Sequence, residues 1–218
     1  MAPTAIDDPS RMRSIGSKTE KTSHSRVRSS GFVHPIKDVK DIKRIKLLLS
    51  DRPRDLALFT LGINTAYRAC EIASLTVGDV ATLRPRDVIE IKQAKRPNRE
   101  NKFRKSAING SVIEAIQAWL EVHPDPTPNA PLFISRKHGD SLIPKSLTRL
   151  VKGWCEDARL KGNFGSHTMR KTWGYHQRMK GVPLDKLVKA FGHSTQEQTM
   201  QYLCIEEAEI MELYELEL

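Results

Sequence analysis

The stretch SHTMRKTWGYHQRMKG, Ser166 to Gly181, opens a helical pattern with a cluster of cations. Ser166 is the expected N-cap, and His167 and Arg170 fall one turn apart on one helical face. A helix start already carries the partial positive charge of its unpaired amides. Placing His167, Arg170 and Lys171 there is locally unfavourable unless the face is simply solvated or an anion sits in front of it. In the second case the stretch is a phosphate seat. The stretch alone leaves both open.

The composition favours an anionic partner. The chain has 218 residues, a formal net charge of +10 and a pI near 9.6, which points to nucleic acid. The charge is uneven, because Ile205 to Leu218 holds six Glu and no Lys or Arg. With 39% hydrophobic residues the chain can build one domain-sized core. No window reaches the roughly 18 apolar residues that span a bilayer, and no charged-then-apolar leader opens the chain. The sequence therefore predicts a cytosolic protein without a membrane partner. Cys70, Cys155 and Cys204 are far apart and lack metal-type spacing, which predicts free thiols.

Residues 1 to about 34 lack any period and are rich in Ser, Thr, Lys and Arg, so they read as a disordered basic arm. Order is expected from Pro35. DVKDIKRIKLLL reads as a helix capped by Asp38, and PRDLALFTLGI as a buried helix with Pro53 in its first turn. A short helix covers ACEIASL. DVIEIKQ alternates as a strand, with NKFRKSAIN as its hairpin partner. Helices follow at about 111–122, 144–159, 167–180, 183–191 and 195–201, with a last acidic helix at 206–215. The fold class is mostly α with one small antiparallel β-sheet (α+β).

Four other features carry possible chemistry, and each alone has an ordinary explanation. Arg68 sits at the start of the ACEIASL helix, where it can merely pair with Glu71 at i,i+3. Lys95 leaves the first strand, near Lys92, Arg96 and Arg99, as a solvated hairpin lysine would. His193 follows Gly192, which ends a helix. Tyr202 ends the next helix. A tyrosine has a pKa of about 10 and needs nearby cations before it does chemistry at neutral pH.

Taken together, Arg68, Lys95, His167-x-x-Arg170, Gly192-His193 and Tyr202 resemble the tyrosine recombinases, the phage-integrase family of DNA strand-exchange enzymes. TAYRACEIASLTVGD is similar to that family's arginine box, with Arg68, Glu71 and Asp79 in place. HTMRKT is similar to its His-x-x-Arg box, and FGHSTQEQTMQY to its Gly-His box ending in the nucleophile. Ala66 and Tyr67 replace the usual Gly-Leu, Lys171 the following histidine or arginine, and Phe191 a leucine. The resemblance covers about Ile36 to Tyr202. It implies a catalytic domain over 35–204 without an evident core-binding domain, preceded by the arm and followed by the acidic helix 205–218, which docks on its own or a neighbouring subunit.

The resemblance implies that Tyr202 attacks a phosphodiester and forms a 3′-phosphotyrosyl bond. Arg68 and Arg170 grip the nonbridging oxygens, His193 donates to them, Lys95 protonates the leaving 5′-oxygen, and His167 accepts the tyrosyl proton or orients the phosphate. Lys92, Arg96, Arg99 and Lys171 are the expected further DNA contacts. No cofactor, ATP or metal is implied. The partners are double-stranded DNA, a homotetramer on DNA and an accessory DNA-bending protein. Two rivals stand beside this: GVPLDKLVKAFGHSTQEQTMQY also reads as a non-catalytic helix-turn-helix, and a type IB topoisomerase uses related chemistry.

Overall fold

Several helices begin where the sequence supplies a start signal, as the computed structural model shows over residues 32–92, 103–136 and 139–204. Helix α1, Val39–Leu48, is capped by Asp38, whose carboxylate accepts from the Lys40 amide at 2.7 Å. Helix α2, Pro53–Asn64, has its proline in the first turn. Helix α3, Ala69–Ala73, is followed by the hairpin β1, Val88–Lys92, and β2, Phe103–Ala107. The strands are antiparallel, with Val88 opposite Ala107 and Lys92 opposite Phe103. Ile89 and Ile91 turn inward while Val88 is exposed, the alternation of a half-buried strand. Then come α4, Gly110–Leu120, α5, Pro144–Asp157, α6, Ser166–Met179, α7, Leu184–Phe191, and α8, Gln196–Leu203. Among the described residues no helix is long and apolar enough to cross a membrane.

Helix α2 is the centre of the core. Ala57, Leu58, Phe59 and Leu61 have no accessible surface, and α2 packs against α1, α4 and α6. Phe59 meets Trp154 of α5 edge-on at 5.9 Å. At its start α2 buries a charged pair. Arg54 donates to one Asp55 oxygen from Nε and Nη2, at 2.8 and 2.6 Å, and to the Ile134 carbonyl from Nη1 at 2.7 Å. Pairing and carbonyl contact together offset the desolvation of both ions. Helix α6 touches α2 and α5 on one side and α7 and α8 on the other. Its second side covers a smaller apolar cluster of Ala66, Leu187, Phe191 and Leu203, with Trp173 and Tyr202 at its edge.

Three boundaries differ from the sequence reading. Gly165, not Ser166, caps α6: its amide donates to the Thr168 hydroxyl at 3.1 Å, while Ser166 enters the first turn and accepts from Thr148. Helix α3 ends at Ala73 because the Ser74 hydroxyl turns back to the Glu71 carbonyl and Asp79 takes the Thr76 amide. Leu75 stays buried outside the helix. Residues 32–34, read as part of a disordered arm, are anchored. Asn163 holds the Phe32 carbonyl at 3.0 Å and accepts from the His34 amide at 2.8 Å. The rest of the arm, Lys95, Arg96, Arg99, the Lys92 side chain and the acidic helix 205–218 lie outside the described residues.

Gly174 allows α6 to approach the smaller cluster. A Cβ there would stand 2.3 Å from the Phe191 ring and 2.7 Å from Leu203. Gly174→Ala is expected to destabilise the chain by about 1–3 kcal/mol, the usual cost of overpacking. Denaturant melts of the two proteins check this, and an unchanged midpoint would show that α7 and α8 tolerate displacement.

Candidate active site

The site is organised around one backbone oxygen. Helix α7 ends at Phe191 because Gly192 adopts a left-handed conformation, φ 65°. The last turn of a helix leaves carbonyls unpaired and partially negative. Phe191's carbonyl accepts from Arg170 Nη2 at 2.7 Å and from Arg68 Nη2 at 3.5 Å. The two guanidiniums come from residues about a hundred positions apart in sequence and meet here. Arg170 is 2% exposed, and its Nη1 donates to the Ala66 carbonyl. Its guanidinium also lies over the Phe191 ring, 4.7 Å from the centroid. Arg68 pairs through Nη1 with Glu71 at 2.9 Å, and the second Glu71 oxygen accepts from the Arg68 amide at 2.7 Å. The i,i+3 pair that explains Arg68 as a surface residue is therefore formed. Its carboxylate is buried, and it aims the arginine at the site.

Tyr202 faces this cation cluster. His167 Nδ1 lies 3.1 Å from the Tyr202 hydroxyl, so the phenol donates to the ring when the imidazole proton is on Nε2. Burial pushes the Tyr202 phenol above its ordinary value, and Arg170 and then Arg68 pull against that rise. His167 is held below its ordinary value of 6.5, first by the part of its ring withdrawn from water and then by Arg170, Lys171 and Arg68. The residue as a whole is exposed; the withdrawn part faces the arginines. A neutral imidazole at neutral pH is the form that accepts a proton. His193 stacks on Phe191, 5.1 Å between centroids, and meets Tyr202 edge-on at 5.0 Å.

Arg68, His167, Arg170, His193 and Tyr202 thus share one small volume. Tyr67 is buried, with its hydroxyl donating to the Ile89 carbonyl, and this ties the hairpin to the arginine beside it. Tyr175 is buried in α6. Lys171 is not on the surface, as expected of a DNA contact. It is 3% exposed and lies beneath Tyr202. Sequence reasoning missed two residues that hold the site. Thr199, fully buried, sits 2.9 Å from His193 Nδ1 and fixes that ring. Phe191 was read only as a substituted leucine, yet its carbonyl and ring are the meeting point. The left-handed glycine after it was the available signal, because such a cap leaves helix carbonyls for cations.

The fold and this cluster define a tyrosine recombinase catalytic domain, of the class of DNA strand transferases. The model of the phage integrase family matches residues 37–209, and the chain belongs to that family. It is 30% identical over 177 residues to the "Probable integrase/recombinase YoeC" of Bacillus subtilis, covering 81% of this chain and 92% of that one. It is 26% identical over 181 residues to tyrosine recombinase XerC of Haemophilus ducreyi, of which it spans 57%. The structure is similar to that of XerA recombinase, with a TM-score of 0.68 and 18% identity, covering 83% of this chain and 64% of that one. It is also similar to the catalytic domain of bacteriophage HP1 integrase, with a TM-score of 0.54 and 19% identity, over 84% and 95% of the two chains.

The depressed His167 has a consequence for stability. The folded chain binds fewer protons there than the unfolded chain, so stability is full above the unfolded value near 6.5. It falls as pH drops from that value through the lowered folded one, then levels off. His167→Gln is expected to flatten this part of the curve. Melting temperatures between pH 7.5 and 5 (about one unit either side of the histidine range) check it, and identical pH slopes in both proteins would reject it.

Proposed function

We propose that this chain is a site-specific DNA recombinase that cleaves and rejoins strands through a covalent bond to Tyr202. The observation that supports this most is the placement of the Tyr202 hydroxyl on His167 with Arg170 and Arg68 beside it. In the proposed step Tyr202 Oη attacks phosphorus while the bond from phosphorus to the 5′-oxygen breaks. The phenolic proton passes to His167. The 5′-oxygen needs a proton to leave, and Lys95, between β1 and β2, is the proposed donor. The reverse attack by a partner strand's 5′-hydroxyl restores the phosphodiester, so bond energy is conserved and no ATP is consumed.

The arginines suit the charge that develops. Nonbridging oxygens in the pentacoordinate state gather negative charge, and a guanidinium meets two oxygens with a fixed fork and stays charged at working pH. Carbonyl contacts hold Arg170 before substrate arrives, so little reorganisation remains for the reaction. His193, fixed by Thr199, would donate to a phosphate oxygen. Lys92, Arg96 and Arg99 would follow the backbone of double-stranded DNA. A homotetrameric synapse, an accessory DNA-bending protein and docking of the acidic segment 205–218 belong to the same proposal. The solved structure of XerH bound to a palindromic difH substrate, in a post-cleavage complex, has the same fold at 20% identity and a TM-score of 0.64.

The test is covalent capture on nicked duplexes drawn from a library of host sequences. Wild type is expected to give a denaturation-resistant protein–DNA adduct, and Tyr202→Phe none, with DNA affinity unchanged. An adduct with both would move the nucleophile; tight binding without any adduct would favour a non-catalytic DNA binder. Arg68→Ala is expected to slow capture by about 10²–10³ with the fold intact, the loss typical of one preorganised donor. Arg170→Ala is expected to lose both capture and melting temperature, because it also releases the Ala66 and Phe191 carbonyls.

A further inference from the structure

Lys171 is a buried cationic side chain. It is 3% exposed, and among the described residues no carboxylate lies within ion-pair distance of it. Its ammonium is instead placed between two aromatic faces, 4.9 Å from the Tyr202 ring centroid and 4.7 Å from that of Phe32. Its one hydrogen-bond acceptor among the described residues is a soft one, Cys204 Sγ at 3.4 Å. Taking an ammonium out of water is costly. Methionine would fill the same slot without that cost. An arrangement that disfavours the resting fold but sets a cation against the attacking side chain is what differential stabilisation of a charged form requires.

Phe32 is held in place from several directions. Its carbonyl accepts from Asn163 at 3.0 Å, the Ile36 amide donates to Thr172 at 2.8 Å, and His176 Nε2 lies 3.0 Å from the Ile36 carbonyl. The Cys204 thiol is 3.8 Å from the Val33 carbonyl. Segment 32–36 therefore forms a strap along α6 that closes Lys171 against the helix bearing Tyr202. The face of an aromatic ring attracts a cation, and attracts it more when the ring is a phenolate. As Tyr202 gives up its proton, Lys171 lies where the new charge is delocalised, while Arg170 and Arg68 serve the phosphate.

We propose that Lys171 is a positioning residue for the nucleophile: clamped between Phe32 and Tyr202, it favours the phenolate that forms as Tyr202 attacks. This rests on the reading of Tyr202 as nucleophile. Among the described residues, the titratable and charged groups facing that ring are His167, Arg170 and Lys171 from α6, Arg68 from the start of α3, and His193 and Cys204 at the ends of α7 and α8.

The experiment compares full-length wild type, Tyr202→Phe, Lys171→Met and Lys171→Arg by two readouts. The first needs no DNA. Tyrosinate absorbance is titrated and the Tyr202→Phe trace subtracted in each background, which isolates Tyr202. Its titration is expected to move upward by about one pH unit in Lys171→Met and to return in Lys171→Arg. The second is the pH profile of covalent capture on nicked DNA. Lys171→Met is expected to be about tenfold slower at neutral pH, the phenolate fraction lost in a one-unit shift, and to recover as pH rises. Its melting temperature is expected to equal or exceed that of wild type, so a slow variant that is also less stable would indicate a packing defect and overturn the proposal. Superimposable titrations would overturn it too. A loss that appears as weaker DNA binding with a shallower salt dependence would make Lys171 a phosphate contact instead. If wild type gives no adduct, the nucleophile reading fails while the titration still decides the clamp.

Discussion

The geometry of this molecule depends on the carbonyl of Phe191. A helix that stops at a left-handed glycine leaves oxygens without amide partners, and here one of them accepts from two guanidiniums. The contact joins Arg68 at the start of α3, Arg170 in α6 and the end of α7. Because Arg170 also holds the Ala66 carbonyl, a single buried side chain ties three segments that have no sequence proximity. Two like charges come together only because the helix end, Glu71 and the Phe191 ring compensate them. The same compensation leaves an electropositive face, the kind that the proposed phosphate substrate would need.

Stability and reactivity pull in opposite directions at the site. Burial raises the Tyr202 phenol above its ordinary value, and Arg170 and Arg68 work against that rise. His167 is held below its ordinary value, first by the part of its ring withdrawn from water and then by its cationic neighbours. Lys171 lies against two rings, with no carboxylate within ion-pair distance of it among the described residues. Each of these makes the resting fold less comfortable than an apolar alternative would. The main core does not share the burden, since α2 and its neighbours form a separate apolar cluster and α6 links that cluster to the smaller one below Tyr202. A well-packed scaffold can carry a strained site on one side of a shared helix.

Much of the fold was legible in the sequence. Asp38 and Pro53 mark helix starts that form as read, and the DVIEIK alternation marks a strand whose isoleucines turn inward. These are local signals, in which a cap, a ring constraint or a two-residue period acts within a few positions. The misreadings came from choices between neighbours of similar propensity. Ser166 is a good cap by type, but Thr168 reaches the Gly165 amide and shifts the start by one residue. Phe32 to His34 carry no period, and their backbone finds its partners in the distant Asn163 and Cys204.

The sequence by itself determined the types of residue available for the chemistry and their order along the chain: two arginines, two histidines and a tyrosine in separated boxes. Spacing within a box is set by helix geometry, so His167 and Arg170 had to share a face. Only the tertiary structure decided that Phe191's carbonyl unites the arginines and that Thr199 holds His193. It alone turned Lys171 from the surface into a clamp between Phe32 and Tyr202. Those contacts join residues that are far apart in the chain, or depend on which side of a helix meets its neighbour. Both are settled by packing, which no local pattern encodes.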